Sequence, residues 1–102
     1  MHFVYIIYSA AFDKFYVGQS VEPGERVIQH NKGFFKGSST SYANDRQLKL
    51  VLSVITKKDA IKIERYIKSM KSKTFMIKLI SDDAFLHEFK RIVIARFKVE
   101  IS

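Results

Sequence analysis

The chain contains no cysteine, no tryptophan and a single proline among its 102 residues. Without thiols there is no disulfide framework and no thiolate metal site. Any metal would have to be held by carboxylate, imidazole or phenol groups, a set that suits a hard cation. No stretch approaches the ~20 apolar residues that span a bilayer, and the run from Phe3 to Ile7 is short and interrupted by Tyr5. Low-complexity segments and internal repeats are absent as well. These absences lead to the expectation of a cytoplasmic protein with no membrane association.

What is present suits one packed core. Hydrophobic residues make up 47% of the chain and charged residues 27%, with nine Phe and five Tyr, a composition that predicts one compact domain over residues 1–102. The formal net charge of +8, from 18 basic and 10 acidic residues, suggests a polyanionic partner. Charge alone does not choose between nucleic acid and an acidic membrane surface. No helical segment combines a basic face with the bulky exposed apolar face that membrane insertion needs, so nucleic acid is the better reading.

The β-branched and aromatic runs Phe3 to Tyr8 and Phe15 to Val17 predict two strands of an antiparallel hairpin, and Leu48 to Ile55 a third. In the first strand both alternate faces are apolar, which places it centrally. Gly18 to Ser20 ends the second strand, and Glu22-Pro23-Gly24-Glu25 opens a helix that Gly33 stops, with Pro23 in the first turn, where its missing N–H costs nothing. Lys32 to Asp45 reads as a long polar loop carrying Phe34, Phe35 and Tyr42. Thr56 caps a second helix running to about Met70, with Ala60, Ile63, Ile67 and Met70 as its apolar stripe. Two further helices are predicted from Lys73 to Ile80 and from Ala84 to about Val99. Their apolar residues, Phe75, Ile77, Leu79, Phe85, Phe89, Ile92, Val93 and Phe97, are assigned to packing.

Several residues have the chemistry that phosphodiester cleavage requires, but each has an ordinary explanation when taken singly. Arg26 and His30 lie four apart on one side of the first helix, which faces the start of the hairpin. A solvated helix face explains them equally well. Glu64 falls on the edge of the second helix's apolar stripe, where a carboxylate needs a partner or a metal; an ordinary ion pair with Lys68 at i+4 is the commoner outcome. A lone strand tyrosine such as Tyr5 or Tyr16 is more often core than catalyst. Gly18 either ends the strand or lets its backbone approach a neighbour or substrate closely. Lys57, Lys58, Lys62, Lys68, Lys71 and Lys73 form a basic face that can track phosphates or simply solubilise a helix. The loop aromatics can stack on bases or pin the loop.

In order and spacing, these residues together resemble the GIY-YIG nuclease superfamily. Val4-Tyr5-Ile6 is similar to the first motif and Tyr16-Val17-Gly18 to the second, while Arg26 and His30 match the family's Arg and His on the first helix. Glu64 stands at the place of its metal-binding carboxylate. His30-Asn31-Lys32-Gly33, Thr40 and the run from Lys68 to Lys73 resemble small stand-alone bacterial members. Phe3 stands where the first motif often begins with Gly, and the Asn that some members carry after the carboxylate helix has no counterpart near Leu79.

The resemblance spans about residues 2–80, leaving a helical extension over about 81–99. It implies an α+β fold, a small three-stranded antiparallel sheet flanked by helices. It also implies an endonuclease acting on DNA, or RNA, with one Mg2+ or Mn2+ ion and low sequence specificity, on single-stranded or branched substrates of the kind met in DNA repair. Within it, Glu64 binds the metal, Arg26 neutralises the phosphoryl oxygens, and Tyr5, helped by Tyr16 or His30, activates water. A phenol with a pKa near 10 needs a nearby cation for that role, for which Arg26 is the candidate; His30 is the alternative base. Lys68, Lys71 and Lys73 are the expected nucleic-acid-binding residues. A nucleic-acid-binding module with little intrinsic cleavage is the competing reading, and the apolar C-terminal helices leave monomer and homodimer both open.

Overall fold

A computed structural model describes residues 1–32 and 44–101. Gly33, Phe34, Phe35, Thr40 and Tyr42, to which the sequence assigned a helix stop and loop functions, lie outside the described residues. The elements follow the order β1 (His2–Ser9), β2 (Lys14–Ser20), α1 (Pro23–Asn31), β3 (Arg46–Val54), α2 (Lys57–Ser69), α3 (Lys73–Ser81) and α4 (Asp83–Phe97). The three strands pair antiparallel in the order β2-β1-β3, so the strand with two apolar faces is the central one. The fold is α+β.

Because side chains alternate across a strand, the two faces of β1 meet different helices. Val4 and Ile6, with Val17, Leu52 and Val54 from the neighbouring strands, pack on Ala60, Ile63 and Ile67 of α2. Leu79 of α3 and Phe89 and Val93 of α4 extend this core, and Phe75, Phe85 and Phe97 pack against it. The opposite face of β1 carries Tyr5 beside Gly18 and Ile7 beside Tyr16, and α1 packs there.

The helix starts follow their sequence signals. Pro23 sits in the first turn of α1, and the hydroxyl of Thr56 accepts the backbone N–H of Asp59 at 3.2 Å. The side chains of Ser72 and Asp82 cap α3 and α4 in the same way. Three apolar residues lie elsewhere than the periodicity placed them. Met70 falls just past the last turn of α2 and is 37% exposed, while Ile77 and Ile92 face outward from α3 and α4. The β1–β3 register also shifts between Ile6 and Ile7, whose partners are Leu50 and Leu48, leaving Lys49 as an extra residue that turns Leu48 outward.

Candidate active site

Tyr5, Tyr16, Gly18, Gln19, Arg26, His30 and Glu64 line one cavity of about 240 Å3. They come from β1, β2, α1 and α2. The site lies along β2, an edge strand of the sheet. α1 brings Arg26 and His30 over the Tyr5 face. Glu64 comes from α2, whose apolar stripe packs on the other face, so the carboxylate reaches the cavity around the β2 edge.

The close approach that the sequence allowed for Gly18 is to Tyr5, its partner across the ladder. A Cβ at residue 18 would stand 2.5 Å from Oη and 2.6 Å from Cζ of Tyr5. Glycine therefore supplies the space in which the Tyr5 ring lies. Tyr5 Oη is 3.2 Å from His30 Nε2, and the His30 ring lies 5.0 Å, centroid to centroid, from Tyr16. Both Tyr5 and His30 are only 3% exposed.

Next to His30 on α1 stands Asn31, a residue to which the sequence gave no separate role. Its side-chain amide donates to the carbonyl of Arg46 at 3.1 Å and accepts from the backbone N–H of Arg46 at 2.8 Å. This two-pronged pairing fastens the last turn of α1 to the start of β3, beside His30. Gln19 was also missed as a lining residue; it is hydrogen-bonded to His2. Its place directly after Gly18 was the available signal.

Burial drives the electrostatics of the pair. The Tyr5 phenol is pushed up to about 12, first by burial and then by Tyr16. Arg26 acts in the lowering direction, as expected, but burial and Tyr16 outweigh it. The expectation that Arg26 would make Tyr5 a more accessible base is thereby corrected. His30 is held down to about 4, by burial first and then by Arg46 and Arg26. At neutral pH the site accordingly contains a protonated phenol beside a neutral imidazole.

Glu64 makes the i+4 ion pair that the sequence gave as the commoner outcome, and it does so at the cavity wall. Its Oε2 pairs with Lys68 Nζ at 2.7 Å. The Glu64 side chain is 16% exposed, and the Lys68 ammonium lies 5.6 Å from the centre of the Tyr16 ring. Lys71 and Lys73 are placed elsewhere, in a neighbouring cavity of about 320 Å3 with Asp13, Lys14, Phe15, Ser72 and Met76. There Lys73 is paired with Asp13.

The donor set can be tested against a metal. Among the described residues no group of three or more His, Cys, Asp or Glu side chains is placed to hold an ion. Mg2+ is commonly bound through one or two carboxylates, keeps several waters and takes further oxygens from substrate phosphate. Glu64 in a polar cavity fits that pattern. No helix among the described residues is long and apolar enough to cross a membrane.

A sequence model of the family described as the GIY-YIG catalytic domain matches residues 1–78. No curated protein and no solved structure matches the chain.

Proposed function

The chain belongs to the GIY-YIG family, whose domains are generally nucleases, and on that premise we propose that it is a metal-dependent endonuclease that hydrolyses DNA with low sequence specificity. One observation carries this reading: two phenols, a guanidinium, an imidazole and a carboxylate from four elements line the same cavity. The groups suit a phosphodiester and its attacking water.

Tyr5 and His30 act as a pair in the proposed mechanism. The mechanism uses the tautomer with the imidazole proton on Nδ1, in which the Tyr5 hydroxyl donates to Nε2 across the 3.2 Å contact. As water attacks phosphorus, Tyr5 Oη takes its proton and passes its own to His30 Nε2. The high pKa of Tyr5 is then no obstacle, because no free phenolate has to accumulate. The bound phosphate offsets the repulsion that Arg26 exerts on a protonated imidazole, so His30 becomes more basic when substrate is present. Arg26 neutralises the phosphoryl oxygens as the new P–O bond forms and the bond to the leaving oxygen breaks. Tyr16 packs against His30 and orients the water. Glu64 would hold a divalent cation, which would supply Lewis-acid stabilisation of the developing negative charge. Lys68, Lys71 and Lys73 contribute to holding flanking phosphates.

The pairing of Glu64 with Lys68 favours one alternative, a binding module whose carboxylate is already occupied. Incubation with single-stranded, duplex and branched DNA, and with RNA, in Mg2+ or EDTA distinguishes the two. Cleavage that requires the metal and falls at least ~100-fold in Glu64→Gln supports the nuclease. Retained binding without cleavage supports the module. Cleavage in EDTA, or undiminished in Glu64→Gln, excludes the proposed metal role.

A further inference from the structure

We propose that Lys68 is a built-in competitor for the metal site, holding the Glu64 carboxylate until a divalent cation displaces it. The inference rests on the reading of Glu64 as the metal-binding residue. A carboxylate about to receive a cation would ordinarily face water. Here one of its oxygens is already charge-paired at 2.7 Å.

The geometry makes the pairing more than a surface ornament. Lys68 lies one helical turn after Glu64, the orientation in which a glutamate and a lysine at i,i+4 pair well. The carboxylate is largely shielded from water while the lysine side chain is about half exposed, at 16% and 48% respectively. Screening by solvent is therefore weaker at the Glu64 end than for a fully exposed pair. The ammonium also lies over the face of Tyr16, 5.6 Å from its centroid, which holds the charge at the rim of the cavity.

A divalent ion taking Glu64 must break this pair, so the metal is bound more weakly than the carboxylate alone would bind it. The displaced ammonium stays tethered at the rim. Its natural new partner is a phosphate oxygen of the nucleic acid. Lys68 thus exchanges one anion for another between the resting and the loaded site.

Mn2+ titration of the intact protein, without nucleic acid and read by loss of the free-ion electron paramagnetic resonance signal, tests the inference independently of cleavage. Lys68→Met is expected to bind Mn2+ about fivefold more tightly than the unmodified protein, by removal of a partly shielded pair. Lys68→Arg, which can still pair with Glu64, stays close to the unmodified protein, and Glu64→Gln loses the site. Lys62→Met removes the same charge from another side of α2 and leaves the affinity unchanged. Equal or weaker Mn2+ binding by Lys68→Met overturns the proposal while leaving the metal reading intact. If neither the unmodified protein nor Lys68→Met binds Mn2+ through Glu64, the metal reading falls and this inference with it.

Discussion

Tyr5 and Ile6 are neighbours on β1 and are almost equally buried, at 3% and 1% exposed, yet they belong to different kinds of environment. Ile6 lies among aliphatic groups from β2, β3 and α2. Tyr5 meets an imidazole and a glycine backbone, in a cavity shared with a guanidinium and a carboxylate. One pleat separates a core from a site. Burial therefore does not tell the two faces apart; what distinguishes them is whether the buried group has a polar partner. On the α2 face burial supplies stability. On the α1 face it sets proton affinities.

If the faces are separable, substitutions should divide along the pleat. The largest effect on stability is expected on the α2 side. Ile63→Ala should cost about 3 kcal/mol in chemical denaturation, since Ile63 is completely buried in the core cluster. Activity per folded molecule should change little. A loss of activity without a loss of stability would mean that α2 positions Glu64 through Ile63 and would break the comparison.

Gly18→Ala is expected to cost less stability, about 2 kcal/mol, because the added methyl meets the Tyr5 ring. Its signature is on the other face. The ring must shift, which disturbs its 3.2 Å contact with His30, so kcat should fall more than substrate affinity. An alanine variant with the full cleavage rate would show that the placement of Tyr5 is unimportant.

Taken per unit of pH, the smallest effect is a slope with pH. His30 is held near 4 in the folded chain, against about 6.5 in an unfolded one. Between those values the unfolded state binds more protons, so stability rises with pH by up to ~1.4 kcal/mol per unit and gains nothing more from His30 above 6.5. Denaturation midpoints for the unmodified protein and His30→Gln should converge as the pH falls through this window. Parallel pH curves would mean that burial does not depress His30.

The sequence carried more of the site than of the helical layer, for a physical reason. The central strand was legible because both alternate faces of Phe3 to Tyr8 are apolar, and the start of α2 because Thr56 has a capping side chain. Tyr5, Tyr16, Arg26, His30 and Glu64 were legible only as a set, since each singly suits a core or a solvated helix. The extra residue at Lys49 left no mark, because a bulge is fixed by pairing with β1 and not by local propensity. Ile77 was misplaced because a residue two positions from both Phe75 and Leu79 points away from them on a helix. Asn31 escaped notice because its partner, the Arg46 main chain, is distant in sequence. Lys71 and Lys73 were grouped with Lys68 by sequence, although the turn at the end of α2 places them in the neighbouring cavity.

The central claim, that Tyr5 and His30 move the proton as one unit, is tested most directly by a double-mutant cycle on the cleavage rate. Tyr5→Phe, His30→Gln and the double variant would be compared at saturating substrate and Mg2+. Groups acting as a unit are strongly non-additive. The account predicts that the double variant is no more than about threefold slower than the slower single variant. Losses that multiply would show that the two residues act independently and would contradict it.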